Sequence, residues 1–187
     1  MSGFIFLEEN KENKVQEISD KLKAKNLVPV FLTKKEIDLF YEGFSNTTLW
    51  PLFHYFPKYT KFNEEQWNTY KKVNEHFCNE VLKYADNNSI IWIHDYHLLL
   101  LPTMIREKLP KARIAYFQHI PFPSHEIFRI LPSREEILRG MVAADLIGFH
   151  TYDDVKHFLT SANRILGLNN KMGEISFEDR MLYVDAF

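Results

Sequence analysis

The chain has 187 residues, of which 45% are hydrophobic and 26% charged, a composition ordinary for one soluble globular domain. Its net charge of −2 argues against a general nucleic-acid or anionic-membrane binder, and no apolar run reaches the roughly 20 residues of a membrane span. A single cysteine, Cys78, excludes an intramolecular disulfide framework and a multi-cysteine zinc site. Because residues 4–7 are followed by acids and not by a long apolar core, we expect no secretory signal and a cytoplasmic location.

The first part of the chain predicts helices around one short strand. A charge-rich amphipathic helix is expected within residues 1–26, and residues 27–32 (LVPVFL) are typical of a strand. Thr33 and Glu36 have the spacing of a capping box and predict the start of another helix. A long helix, capped by an asparagine, is predicted over residues 63–84.

A strand, a helix and a second strand follow in the middle of the chain. Residues 90–93 (IIWI) form a short apolar run, the pattern of a strand buried on both faces, and residues 98–109 predict a helix. Residues 113–118 (RIAYFQ) are the second apolar run. Two strands joined by a helical crossover are parallel, so both carboxyl ends lie at one edge of the sheet. Open α/β folds bind ligands at that edge.

The last part of the chain continues the alternation of helices and strands. The pattern predicts a helix, a third strand, a helix on the sheet and a closing hairpin. In chain order these are residues 134–143, 145–149, 151–166, and 174–177 with 181–186. The elements together predict an α/β domain with a Rossmann-like parallel sheet and helices on both faces.

Three predicted strands each end at a histidine: His94, His119 and His150. Single histidines in such positions are commonly structural, but three at one edge beside Asp95 favour a ligand site. Three imidazoles and a carboxylate could also hold zinc or iron, which leaves a metal-dependent hydrolase as an alternative. The sequence contains no G-x-S-x-G, G-x-G-x-x-G or Walker A motif. Aromatic rings next to carboxylate and imidazole groups suit a sugar.

Four segments carry a more specific signal. They are YEGFSNTTLWPLFHY, IIWIHDYHLLLLP, FQHIPFPSHEIFRILPSREEIL and DLIGFHTYDDVKHFL, at residues 41–55, 90–102, 117–138 and 145–159. In content and order they closely resemble the trehalose-6-phosphate synthases, glycosyltransferase family 20, including the synthase-like half of bifunctional and regulatory trehalose proteins. The resemblance covers about residues 27–187 and leaves residues 1–26 poorly matched.

The resemblance implies a GT-B architecture, in which two Rossmann-like domains enclose the active site. This chain would be an incomplete N-terminal, acceptor-side domain. The family transfers glucose from UDP-glucose to glucose 6-phosphate with retention and needs no metal or other cofactor. The expected partners are therefore a sugar phosphate and a nucleotide sugar, with a full-length synthase or phosphatase subunit as a candidate protein partner, and neither nucleic acid nor membrane.

The resemblance also assigns site residues. Tyr41 and Trp50 match positions that line the acceptor pocket. Asp95 matches the carboxylate that binds glucose 6-phosphate hydroxyls, and His119 matches the histidine beside the donor glucose. These last two are the catalytic-site residues that the resemblance implies. In such retaining enzymes the donor phosphate takes the acceptor proton, so Asp95 would orient the acceptor without acting as a nucleophile.

The chain departs from the family pattern at both ends. The family begins with a strand, a glycine-rich loop and a basic residue for the acceptor phosphate, and no match to them precedes residue 27. Its C-terminal domain carries an Arg/Lys pair for the donor diphosphate and an acid for ribose, and neither follows residue 187. We therefore expect this chain alone to be inactive. The alternative is a non-catalytic regulatory or interaction module of a trehalose synthase complex.

Overall fold

The computed structural model describes residues 12–187, with side chains from residue 16 onwards, so the apolar residues 4–7 lie outside the described residues. Helices and strands alternate through the second half of this part, as the sequence predicts. The α-helices are α1 (Glu12–Lys23), α2 (Lys34–Ile37), α3 (Trp50–Phe53), α4 (Glu64–Val81), α5 (Leu101–Lys108), α6 (His125–Phe128), α7 (Arg134–Val142) and α8 (Tyr152–Leu166). Wide π-type turns cover Asp38–Leu49, and short 3₁₀ turns cover Pro57–Tyr59 and Tyr96–Leu98.

A mixed six-stranded sheet forms the centre of the described chain. The strands are β1 (Ile90–His94), β2 (Arg113–Phe117), β3 (Leu146–Phe149), β4 (Asn170–Lys171), β5 (Glu174–Phe177) and β6 (Arg180–Ala186). Their order is β1-β2-β3-β6-β5-β4, in which β1, β2, β3 and β6 run parallel. The predicted hairpin is confirmed, since β5 pairs antiparallel with β6 and with β4. The α/β class and the parallel core are therefore confirmed, and the hairpin makes the sheet mixed.

Among the described residues, β1 lies at the edge of the sheet. The prediction that this strand is buried on both faces is wrong, because the side chains on one face are exposed. Ile90 and Trp92 are 69% and 63% exposed, whereas Ile93 on the opposite face is 3% exposed. Trp92 lies in one row of the sheet with Ala115, and Tyr183 of β6 lies further along the same row. The apolar run IIWI thus has one face packed on the core and one face open within residues 12–187.

Residues 27–32 do not form a strand, so the strand predicted for this segment is wrong. The segment has no regular secondary structure and joins no strand ladder within residues 12–187. Pro29 also lacks a backbone N–H to donate. Leu27, Val28 and Phe31 are between 36% and 52% exposed, so the apolar side chains that suggested a strand are only partly covered.

The predicted helix boundaries follow from capping residues. The capping box is present: Thr33 Oγ1 accepts from the N–H of Glu36, whose carboxylate accepts from the N–H of Thr33. Asn63 caps α4 by accepting from the N–H of Gln66 at 3.0 Å. At the other end of the chain, Gly167 ends α8 in the left-handed conformation at φ 71°. No helix within residues 12–187 has the length and apolarity needed to cross a bilayer.

Phenylalanine rings fill the core between the sheet and the helices. Phe122, Phe149 and Phe158 are fully buried and meet edge to face or tilted, with centroids 5.4 to 5.9 Å apart. Phe53 and Phe128 extend the cluster toward α3 and α6. Burying each such ring stabilises the fold by about 1.5–3 kcal/mol. Part of the high aromatic content is therefore used for core packing, while other rings, such as Trp92, are exposed.

Candidate functional site

The ends of β1, β2 and β3 bring the three histidines together, as expected. His94 is the last residue of β1, and its Nδ1 lies 2.8 Å from Nε2 of His119, two residues beyond β2. The ring of His119 lies 5.7 Å from that of His150, which directly follows β3. Phe117 packs among the three imidazoles, with its ring 5.0 Å from His150. The parallel register thus gathers one cluster from residues far apart in the chain.

Asp95 occupies a strained backbone conformation at the end of β1. Its φ of 72° and ψ of 165° lie outside the regions that a non-glycine residue ordinarily adopts. Such a residue costs about 1–3 kcal/mol and persists only where surrounding structure holds it. Here its N–H donates to the carbonyl of Phe117 at 2.8 Å, and its Oδ1 accepts from the N–H of Tyr96 at 3.0 Å. Conformations of this kind cluster at functional sites.

A buried polar network from α4 supports the turn that follows Asp95. The hydroxyl of Tyr70 donates to the carbonyl of Tyr96 at 2.7 Å and accepts from the N–H of Leu99 at 3.0 Å. Nδ2 of Asn74 donates to the carbonyl of His97 at 3.1 Å. Tyr70 and Asn74 are fully buried. Their hydrogen bonds fix the backbone on which the carboxylate of Asp95 is carried.

The sequence did not reveal this support. In the helix predicted over residues 63–84, Tyr70 falls at helical spacing among apolar residues and so indicates core packing, and Asn74 gives no signal of a role. A polar residue one turn after a buried tyrosine was the available hint, because a buried amide needs hydrogen-bond partners.

One cavity is lined by two of the four predicted site residues, Asp95 and His119. It has a volume of about 840 Å³ and is lined on one side by His94, Asp95, His97 and His119. Residues 27–32 and apolar side chains of α4, β1 and α5 line the remainder. The structure therefore brings Asp95 and His119 together at one opening.

The two aromatic site residues are placed differently. Tyr41 stacks on His97, with ring centroids 5.4 Å apart and planes 15° apart, and so reaches the cavity through that imidazole. Trp50 is 41% exposed and stacks on His54 at 4.0 Å, and it is not among the residues that line the cavity. Asn46, which lies between Tyr41 and Trp50 in the chain, contacts the turn after Asp95: its Oδ1 accepts from the hydroxyl of Tyr96 at 3.1 Å. The acceptor-pocket roles of Tyr41 and Trp50 stay predictions.

Burial favours the neutral form of two imidazoles of the cavity, His94 and His97. Desolvation lowers the pKa of His94, helped by the neighbouring His119 and opposed by Asp95. Desolvation also lowers the pKa of His97, against the same opposing charge. Both rings are therefore uncharged near pH 7 and act as hydrogen-bonding groups. A cavity with imidazoles, one carboxylate and apolar walls matches the mixed surface of a sugar.

The metal alternative gains no support from the geometry. In the described part of the chain, no three side chains of His, Cys, Asp or Glu converge closely enough to hold a metal ion. His94 and His119 contact each other through ring nitrogens and stack at 5.1 Å, which is the geometry of a hydrogen-bonded pair.

Comparison with known proteins decides the family. The sequence model of glycosyltransferase family 20 matches residues 3–187. The chain belongs to glycosyltransferase family 20. The match begins at residue 3 and so includes most of residues 1–26, the segment that the resemblance of the four motifs does not cover.

The family 20 chain is similar to curated trehalose-phosphate synthases. It is 45% identical over 190 residues to the 56 kDa subunit of the UDP-forming α,α-trehalose-phosphate synthase of Saccharomyces cerevisiae, covering 99% of this chain and 38% of that protein. It is 47% identical to the UDP-forming synthase A of Dictyostelium discoideum, covering 96% of this chain and 25% of that protein. The chain thus spans under two fifths of the length of these relatives.

Solved structures give the same assignment. The UDP-forming synthase of Burkholderia xenovorans superposes with a TM-score of 0.78 at 36% identity, covering 83% of this chain and 35% of that one. The N-terminal domain of the Candida albicans trehalose-6-phosphate phosphatase superposes with a TM-score of 0.84 at 33% identity, covering 94% and 38%. An E. coli structure described as bound with UDP-2-fluoro glucose gives 0.79 at 33% identity, covering 83% and 35%.

Proposed function

We propose that this chain is the acceptor side of a retaining glucosyltransferase that moves glucose from UDP-glucose to glucose 6-phosphate, in trehalose biosynthesis. The observation that supports this best is the strained Asp95, which the turn from β1 holds beside His119 at one cavity. The named activity of the synthase relatives agrees with it. In this proposal the chain binds glucose 6-phosphate and contributes half of the active site.

In the proposed reaction Asp95 orients the acceptor sugar. Its carboxylate accepts hydrogen bonds from acceptor hydroxyls, and His119 contacts the donor glucose from the neighbouring strand end. The acceptor hydroxyl attacks the anomeric carbon, the bond to UDP breaks, and the leaving phosphate takes the acceptor proton. Orientation and preorganised hydrogen bonds would supply most of the acceleration. Neither residue forms a covalent intermediate.

We expect the isolated chain to be inactive. The charges at the cavity support a second expectation, that the chain recognises the sugar of glucose 6-phosphate more than its phosphate. The ionisable side chains that line the cavity within residues 12–187 are His94, Asp95, His97 and His119. Because His94 and His97 are uncharged and Asp95 is a carboxylate, these side chains give a phosphate dianion little electrostatic attraction. We therefore expect a dissociation constant on the order of 1 mM or weaker for glucose 6-phosphate. Glucose should bind within about threefold of that value, a difference of about 0.7 kcal/mol.

Calorimetry on the Asp95→Asn variant tests the proposal. Asparagine has nearly the shape of aspartate and so meets the same backbone strain, and its amide oxygen can still accept from the N–H of Tyr96, so the variant removes the charge and keeps the turn. Charged hydrogen bonds are worth about 1.5–3 kcal/mol, so sugar binding should weaken at least about tenfold. Asp179→Asn, in the exposed hairpin turn, is the matched control and should bind like the wild type.

Two results would contradict the proposal. Equal sugar binding by wild type and Asp95→Asn would remove the acceptor role of Asp95, and no binding by either would favour a scaffold. Incubation with UDP-glucose and glucose 6-phosphate, with UDP release as the readout, tests the expected inactivity. Turnover by this chain alone would show that the described residues already form a working site.

A second candidate function is a non-catalytic module within a trehalose-synthesising complex. One comparison favours it: the N-terminal domain of the Candida albicans trehalose-6-phosphate phosphatase covers 94% of this chain. The Saccharomyces cerevisiae relative, named as a subunit, is a suitable probe. Co-elution of the two chains in size-exclusion chromatography, with sugar binding absent, would support this function over the first.

We further propose that the site needs no metal or organic cofactor and that UDP-glucose is a co-substrate. Glucose binding should then be unchanged by EDTA, and elemental analysis of the purified protein should find no stoichiometric zinc or iron. Binding lost on chelation would instead support the metal-dependent alternative. A cytoplasmic location, with no nucleic-acid or membrane partner, stays a prediction.

A further inference from the structure

The contact between His94 and His119 restricts the protons on both rings. Nδ1 of His94 and Nε2 of His119 are 2.8 Å apart, and the ring planes differ by 20°. At this distance one nitrogen must carry a hydrogen and the other a lone pair, since two lone pairs or two N–H groups would repel. Trp92 stacks on the far side of His94 at 5.2 Å and limits rotation of that ring.

Only two neutral arrangements satisfy the contact. In one, both rings are protonated on Nδ1 and His94 donates. In the other, both are protonated on Nε2, and His119 donates through Nε2–H to Nδ1 of His94. The Nε2–H tautomer is the more populated form of a neutral histidine side chain in water. The second arrangement gives both rings their preferred tautomer, and the first gives neither.

We propose that His94 is a positioning residue that fixes His119 in the Nε2–H tautomer, so that Nδ1 of His119 accepts a hydrogen bond from a sugar hydroxyl. The inference rests on the proposed function, in which His119 contacts a sugar. It adds the chemistry of that contact. An acceptor nitrogen selects a hydroxyl group and disfavours a phosphate oxygen, which has no proton to donate near neutral pH.

The hydrogen bond from Nε2–H of His119 to Nδ1 of His94 should be present at neutral pH and lost as the pH falls. Within residues 12–187, the ionisable groups around the pair are Asp95 on the same turn and His150 at the end of β3. Burial lowers the pKa of His94 below its ordinary value near 6.5, so His94 is neutral and the hydrogen bond is complete at pH 7 and above. As the pH falls through the lowered pKa, Nδ1 of His94 gains a proton and can no longer accept. The arrangement in which His119 donates to His94 is therefore lost on the acidic side.

Nitrogen-15 NMR of histidine-labelled protein at about pH 7.5 tests the inference. The wild type should show His119 with a protonated Nε2, an unprotonated Nδ1, and a scalar coupling between that Nε2 and Nδ1 of His94. His94→Phe keeps a ring between Trp92 and His119 but has no acceptor. In this variant the coupling should disappear, and His119 should become a mixture of tautomers with a faster-exchanging N–H. In His94→Asn, whose amide oxygen lies near the position of Nδ1, the Nε2–H signal should return.

The outcomes separate this inference from the proposed function. A lone pair on Nε2 of His119 in the wild type would overturn the inference, as would an unchanged His119 tautomer and exchange rate in His94→Phe. Because the wild-type spectrum decides the tautomer directly, a variant that fails to fold does not remove the test. The readout needs no bound sugar. Fixed tautomers without any sugar binding would support the positioning role of His94 and count against the glucosyltransferase proposal, together with the sugar contact of His119 that rests on it.

Discussion

Replacing Tyr70 by phenylalanine should destabilise the protein by breaking the support beneath the site. The hydroxyl holds the carbonyl of Tyr96 and the N–H of Leu99, and the side chain is fully buried. Phenylalanine keeps the buried ring but leaves both backbone groups without this partner. Each unsatisfied buried group costs about 1–3 kcal/mol, so we expect the free energy of unfolding to fall by about 2–4 kcal/mol. That is a large part of the 5–15 kcal/mol typical of a domain.

Urea denaturation followed by circular dichroism and tryptophan fluorescence measures this loss. With a slope of about 2 kcal/mol/M, the midpoint should move down by about 1–2 M. Tyr84→Phe is the matched control, because Tyr84 is 67% exposed near the end of α4 and should change stability by less than about 0.5 kcal/mol. If the two variants unfold at the same urea concentration, the Tyr70 hydroxyl does not stabilise the turn and the reasoning is refuted.

Two further substitutions test local packing and charge. Burial alone would raise the pKa of Glu36, but hydrogen bonds from Lys72 and Thr33 outweigh it and hold the pKa below its ordinary value. The wild type should therefore lose stability as the pH falls from about 5 to 3, and Glu36→Gln should lose less; equal losses in urea midpoint would contradict this. In an open helix Gly140→Ala would stabilise by about 1 kcal/mol, but here the new Cβ would lie 2.4 Å from the carbonyl oxygen of Leu99. We expect a lower melting temperature and a loss of about 1–3 kcal/mol, and a more stable variant would refute it.

The local signals in the sequence were sufficient for most elements of the fold. Caps such as Asn63 and Gly167 act within one helical turn, so their effect is visible in a few consecutive residues. The strand predicted at residues 90–93 is present, but the prediction that both of its faces are buried was wrong, because the covering of a strand depends on the elements packed around it and not on its own composition. For the same reason residues 27–32 have a strand-like composition without being a strand. A ladder requires a partner, and composition alone does not supply one.

The candidate site was predictable in part: the positions of its residues follow from strand geometry, but their contacts do not. That His94, His119 and His150 share an edge follows from the geometry of parallel strands alone. The hydrogen bond between two of them, and the positive φ of Asp95, depend on side-chain and backbone angles that no spacing encodes. The roles of these residues came from the resemblance to a family and not from periodicity.

The strain at Asp95 and the buried network of α4 are two parts of one structural solution. A residue at φ 72° would relax unless its neighbours held it. Here the N–H of Asp95 is tied to β2, and the carbonyl of Tyr96 and the N–H of Leu99 are tied to Tyr70. The turn is therefore fixed from two independent elements before any ligand arrives. Because a site that is rigid in advance loses less entropy on binding, the described residues themselves preorganise the turn that carries Asp95.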